Sequence, residues 1–107
     1  MLDKVIGDTV KLRFVIEKEG DAAKILVPHS VYVSVFSPEG EIIKDCPGDI
    51  EGDVVSFEIA PEYTSKTGDY KAYFDMMVGH LKKTHEIEFR MMPRTNESLE
   101  PKPVEGE

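Results

Sequence analysis

The feature that most constrains this chain is a hydrophobic period of two that runs through almost all of it. In "TVKLRFVIE", Val10, Leu12, Phe14 and Ile16 share one face, while Lys11, Arg13 and Glu17 share the other. Successive side chains of an extended strand point to opposite faces, so this spacing marks a half-buried strand. "DVVSFEIA" repeats the pattern with Val55, Phe57 and Ile59 inward. In "SVYVSVFS" (Ser30 to Ser37), Val31, Val33 and Val35 take one face and Tyr32 and Phe36 the other. Apolar residues on both faces predict a central strand, or one covered by a partner. Nowhere do apolar residues recur at i, i+3, i+4 and i+7 over three turns, so no helix is expected.

Turn residues divide the chain into short strands. Gly7-Asp8 separates a short strand, Leu2 to Ile6, from the first full one, and Gly20-Asp21 breaks "EKEGDAAK" into a loop. "SPEG" is a turn, Glu41 to Lys44 a short strand, "DCPGDIEGD" a loop and "PEYTSKTG" a longer connection. Asp69 to Val78 and Leu81 to Met92 form a closing hairpin around Gly79-His80. Glycine takes the positive φ of the first central position of a type II′ turn; a turn on Val78-Gly79 would force a β-branched residue into that region. The resulting register sets Val78 against Leu81, Phe74 against His85, Ala72 against Ile87 and Tyr70 against Phe89 on one face. The other face sets Lys71 against Glu88 and Tyr73 against Glu86. Six or seven strands at this spacing predict an all-β fold, an Ig-like antiparallel β-sandwich of about seven strands. Its expected core is Val10, Leu12, Phe14, Ile16, Val33, Val35, Val55, Phe57, Ile59, Tyr70, Ala72, Phe74, Ile87 and Phe89.

A length of 107 residues fits one domain with a single modest core. After Pro93 the character changes. "RTNESLEPKPVEGE" has one leucine, one valine and no aromatic residue, and its two basic and four acidic side chains give it a charge of -2. Such a segment buries too little apolar surface to offset its ordering entropy. The expected division is therefore a sandwich over residues 1–93 and a disordered acidic tail over residues 94–107. With Cys46 as the one cysteine, no internal disulfide can form. Thirteen basic against twenty-one acidic residues give a net charge of -8, which repels phosphate backbones and anionic bilayers. Neither nucleic acid nor membrane is an expected partner, and no apolar run approaches the ~20 residues of a spanning helix. "MLDKVIGDTVKLRF" lacks the basic and then apolar pattern of a signal peptide, so synthesis and folding in the cytoplasm are expected.

The candidate chemistry is sparse. His80 falls at the hairpin tip and His85 on its inner face, so the two diverge. His85 is expected to be a partly buried, hydrogen-bonded histidine, because a zinc site needs about four converging donors. Cys46 lies in "KDCPGD" beside aspartates, which oppose thiolate formation and leave a bland loop cysteine. Asp49, Glu51 and Asp53 alternate like the start of a calcium loop, yet the glutamate of the EF-hand pattern would fall on Ala60. A weak cation site there is the alternative to a plain acidic loop. No glycine pattern cradles a phosphate and no Gly-x-Ser-x-Gly is present. The expectation is no catalytic residue, no required metal and no cofactor. In "TSKTGDYKAYF", Gly68 precedes Tyr70, and Ala72 occupies the place of the second immunoglobulin cysteine. Tyr70 is thus the candidate for a tyrosine corner.

The order "GDTVKLRF", "VYVSVFSPEGEII", "VSFEIAPEYTSKTGDYKAYF" and a hairpin with glycine at its tip resembles small Ig-like domains of bacteriophage virion proteins, such as the N-terminal domain of baseplate upper proteins. The resemblance covers about residues 5–92. It implies a non-enzymatic structural or accessory role in a virion tail, baseplate or neck, with other protein subunits or a second copy as partners. The alternative is a bacterial Ig-like binding module that recognises a protein or carbohydrate. The lack of tryptophan and the scarcity of loop tyrosines beyond Tyr63 count against sugar stacking. Tyr32 and Phe36, pointing away from the core, are the candidate partner-binding residues, extended by Tyr73 and Met77 if their strands are neighbours.

Overall fold

A sheet that is apolar on one face needs a second sheet against it. In the computed structural model, which describes residues 1–16 and 28–94, two sheets meet that need. The larger has the order β1 (Leu2–Val5), β8 (Leu81–Met92), β7 (Gly68–Val78), β3 (Ser30–Ser37) and β4 (Gly40–Pro47). The smaller has the order β2 (Val10–Val15), β6 (Val54–Ile59) and β5 (Asp49–Glu51). This is the Ig-like arrangement, with β2, β6 and β5 in the places of strands B, E and D and β8, β7, β3 and β4 in those of G, F, C and C′.

One pairing departs from the antiparallel expectation. β1 runs parallel to β8, from Leu2 opposite Phe89 to Val5 opposite Met92. A hairpin must pair antiparallel, but β1 reaches β8 from the far end of the sequence and then crosses to the other sheet, so nothing fixes an antiparallel direction. The crossing is pinned on both sides. The Asp8 N–H donates to the Val5 carbonyl at 3.1 Å, and the Ile6 N–H to the Met92 carbonyl at 3.0 Å. Arg94 adds a 3.1 Å bond from Nε to the Ile6 carbonyl and a 2.6 Å ion pair with Asp8. Arg94, expected to open the tail, is therefore anchored to the fold. The rest of that expected tail and the expected loop "EKEGDAAK" from residue 17 onward lie outside the described residues.

The closing hairpin has the expected register, from Gly68 opposite Met91 to Val78 opposite Leu81. Gly79 has φ 63° and His80 is not left-handed, the signs a type II′ turn requires. The stretch "DCPGDIEGD" is a correction. It is not one loop, because β4 runs on through Asp45, Cys46 and Pro47, and Asp49–Glu51 is β5. The reason lies in two register shifts between β3 and β4, at Val33/Val35 and Val35/Phe36. Each adds a residue to β4 and breaks the alternation by which a strand is read. Asp45 takes φ 47° there, and its N–H donates to Ser34 Oγ at 3.1 Å. "PEYTSKTG" likewise contains one 3-10 turn, Pro61–Thr64, with proline in its first turn, where a missing N–H costs nothing.

The core lies between the sheets. Val10, Leu12, Val33, Val35, Val55, Phe57, Ile59, Tyr70, Ala72, Phe74 and Phe89 are buried as expected, whereas Phe14, Ile16 and Ile87 are only half-buried at its margin. Val31, Met76 and Met91 complete it on the same faces, and Thr64 is the one buried polar residue among those described. Phe74 is fully buried and meets the Phe14 ring edge-on at 5.1 Å. Phe74→Ala should destabilise the fold by about 3–5 kcal/mol, a large share of the usual margin. A denaturant melt that leaves the midpoint unchanged would remove Phe74 from the core.

Candidate functional site

The solvent side of the larger sheet is the candidate. On β3 the outward positions are Ser30, Tyr32, Ser34 and Phe36; on neighbouring β7 they are Lys71, Tyr73, Asp75 and Met77. The register sets Ser30 against Met77, Tyr32 against Asp75, Ser34 against Tyr73 and Phe36 against Lys71. The four residues singled out by the sequence therefore share one face. Tyr32 and Phe36 remain 44% and 37% exposed, while Tyr73 and Met77 are half-buried. The Phe36 and Tyr73 rings meet edge-to-face across the diagonal, with centroids 5.6 Å apart at 83°. Such pairing holds both rings in place and leaves their outer surface in water.

Charges on the β8 side are largely closed on themselves. Lys71 lies 3.7 Å from Glu86 and 3.6 Å from Glu88. Glu86, then Tyr73 and Glu88, hold its ammonium above the ordinary lysine value. Thr84 Oγ1 donates to Asp75 at 2.8 Å, and Arg90 pairs with Asp69 at 2.8 Å. These exposed pairs add little stability; their effect is to leave the aromatic strip as the unsatisfied part of the face. Two open depressions flank the strip. One, of about 230 Å³, lies among Met1, Phe36, Lys71 and Glu88, and the other, of about 290 Å³, among Ile42, Tyr63, Lys66 and Tyr70. A third, of about 530 Å³, is a shallow dip among Met1, Leu2, Glu86 and Glu88, and none of the three encloses a ligand as a usual pocket does.

Tyr70 makes the expected corner. Its hydroxyl donates to the Lys66 carbonyl at 2.7 Å, and its buried ring stacks on Phe89 at 5.3 Å. The chain can turn there because Gly68 has φ 129° and packs on Pro38, whose Cγ would lie 2.7 Å from an added Cβ. Lys66 also pairs with Glu39 at 2.7 Å, so the β3–β4 turn is tied to the corner. Glu39 raises the Lys66 pKa through that bond.

The remaining candidates are dispersed. His80 is exposed at the hairpin tip. His85 is corrected: it is exposed, and its ring stacks on Phe14 at 3.9 Å, with no hydrogen bond to a described residue. It faces inward beside buried Phe74, but among the described residues β8 has no neighbour on its outer edge there, so the Phe14 ring covers one side of it only. Cys46 is also corrected, from a loop residue to a strand residue opposite Val33 that packs against the core. Asp49 and Glu51 lie exposed on β5, and Asp53 in the turn beyond it. Among the described residues no three His, Cys, Asp or Glu side chains converge in a way that could hold a metal ion. Sequence reasoning missed His29, whose Nε2 donates to the Gly79 carbonyl at 3.1 Å and whose N–H donates to Met77 at 3.0 Å. No periodic signal marks such a bond between distant turns. No protein-family model, curated protein or solved structure matches the chain.

Burial, ahead of any other cause, raises the Tyr70 pKa above its ordinary value, because it penalises the phenolate. A group with a raised folded pKa contributes stability that is fully present below its unfolded value, about 10 for tyrosine, and lost as pH rises through the folded value. Tyr70→Phe should cost about 1 kcal/mol at neutral pH through the lost hydrogen bond. It should also remove part of the alkaline loss of stability. Parallel pH–stability curves for the two proteins above neutrality would show that Tyr70 does not titrate with unfolding.

Proposed function

We propose that this chain is a non-enzymatic structural or accessory protein of a bacteriophage virion, acting through protein–protein contacts made by the solvent face of its larger sheet. One observation carries the docking part of the reading. Tyr32 and Phe36, on a strand with neighbours on both sides, are held in water beside Tyr73 and Met77. Aromatic residues and methionine are enriched at protein interfaces, and a monomer gains nothing by exposing an ordered strip of them. The virion part rests on the sequence resemblance, which spans the folded part of the chain.

The partner is a protein subunit, since the strip sets aromatic rings and a methionine among hydroxyls and is bordered by paired charges, a mixture typical of protein interfaces. The double substitution Tyr32→Ser with Phe36→Ser tests this. Expressed with the genes that flank its own, the wild-type chain should co-sediment with an assembly. The double mutant should keep the native melt and stay free of it. Unfolding of the double mutant would place these side chains in the core, and uptake of both proteins would place the interface elsewhere. Flanking genes that encode no capsid, portal or tail protein would remove the virion part alone.

A further inference from the structure

Among the described residues four strands bound the sheets, β1 and β4 in the larger and β2 and β5 in the smaller, and β8 is also open over residues 81–88, beyond the reach of the short β1. An edge strand presents a row of unpaired N–H and C=O groups, a template for another strand unless it is blunted. Three of the four are blunted, and the open run of β8 turns Lys83 and His85 toward the inner face, a device that also discourages an added strand. β4 carries two register shifts, a left-handed Asp45 and Pro47; β5 has three residues and β1 four. β2 is different. It has six residues, Val10–Val15, without proline, and its register against β6 is unbroken from Val10 opposite Ile59 to Val15 opposite Val54.

The phase of that ladder can be assigned. Ile16 N–H donates to the Asp53 carbonyl at 2.8 Å, which continues the register by one pair. In an antiparallel ladder, hydrogen-bonded and non-bonded pairs alternate. Phe14, Leu12 and Val10 therefore direct their N–H and C=O groups to β6, and Lys11, Arg13 and Val15 direct theirs away from it. Among the described residues no strand lies on that side of β2. The Lys11 and Arg13 side chains are exposed on the outer face, and neither forms an ion pair with a described carboxylate. Val15 is 54% exposed, and Phe14 and Ile16 are only half-buried on the inner side.

We propose that the free edge of β2 accepts an extended segment of a partner protein as an added strand, with apolar residues facing inward and Asp or Glu facing solvent. Backbone bonds to Lys11, Arg13 and Val15 supply the attachment, as in other strand-addition complexes. The side chains supply the selection. A second copy pairing through the same edge would set Lys11 and Arg13 of both copies side by side, and like charges across a ladder are unfavourable. An acidic strand reverses that sign, and its apolar side covers the margin at Phe14 and Ile16. The surface lies on the smaller sheet, separate from the aromatic strip, and the inference does not depend on the strip's role.

Amide exchange on the full chain tests the geometry first. The N–H groups of Lys11, Arg13 and Val15 should exchange much faster than those of Leu12 and Phe14; equal protection in the free protein would mean the edge is already paired and would overturn the proposal. Two short synthetic peptides, one alternating valine with glutamate and one alternating valine with lysine, then serve as probes. The glutamate peptide should slow exchange at Lys11, Arg13 and Val15 and bind about ten-fold tighter than the lysine peptide. Arg13→Pro deletes an N–H that β6 does not use, so the variant should fold and lose the peptide. The double variant Lys11→Glu with Arg13→Glu, which leaves the backbone intact, should invert the peptide preference. Equal binding of the two peptides, binding of neither, or shifts confined to other surfaces would refute the added strand.

Discussion

The structure depends on the burial of β7's inner face. Tyr70, Ala72, Phe74 and Met76 descend one side of this strand, each with less than a tenth of its surface exposed. β7 has β8 on one edge and β3 on the other, so its position fixes theirs through two unbroken ladders. Its inner residues also form the floor on which the smaller sheet rests, where Phe14 meets Phe74 edge-on. With no disulfide possible, this apolar contact replaces the covalent staple of antibody domains, and Ala72 and Val35 face each other where bulk would otherwise be needed.

The outer face follows from that constraint. Because the pleat alternates, committing Tyr70 and Phe74 to the core commits Lys71, Tyr73 and Asp75 to solvent, and β3 must then present Tyr32 and Phe36 beside them. The β8 half of this face carries ion pairs, whereas the β3 half carries no charge and alternates serine with Tyr32 and Phe36. The tyrosine corner, tied through Lys66 to Glu39 and through Gly68 to Pro38, steadies the end of the face nearest Phe36. At the opposite end His29 holds the tip of the long hairpin. A face held at both ends has little conformational entropy left to lose, which would favour the association proposed for it.

The edges show a second economy. β4, β5 and β1 are protected by bulges, proline and shortness, and the stretch of β8 that β1 leaves open carries Lys83 and His85 on its inner face. At β2 the protection is charge alone. Charge is a selective barrier, since it repels a copy of itself and admits its complement, whereas a proline or a bulge excludes every strand.

Much of this was legible in the sequence wherever the determinant was local. Period-two alternation placed the inward residues of β2, β3, β6 and β7, because the pleat leaves no other choice for an extended chain with one wet face. The geometry glycine permits at Gly79 fixed the hairpin turn, and with it the partner of every residue from Tyr70 to Phe89. Gly68 and Tyr70 marked the corner for the same reason. Only the tertiary structure decided what depends on partners distant in sequence. The parallel approach of β1 to β8 and the Arg94 clasp join the two ends of the chain, and no local pattern encodes that meeting. The bulges that extend β4 past Asp45 exist because Ser34, on another strand, accepts the Asp45 N–H. His85 faces inward yet stays exposed because it lies on the stretch of β8 that β1 does not reach, with only the Phe14 ring over it. Periodicity tells which way a side chain points; what stands opposite and beside it in the folded sheets decides whether it is buried.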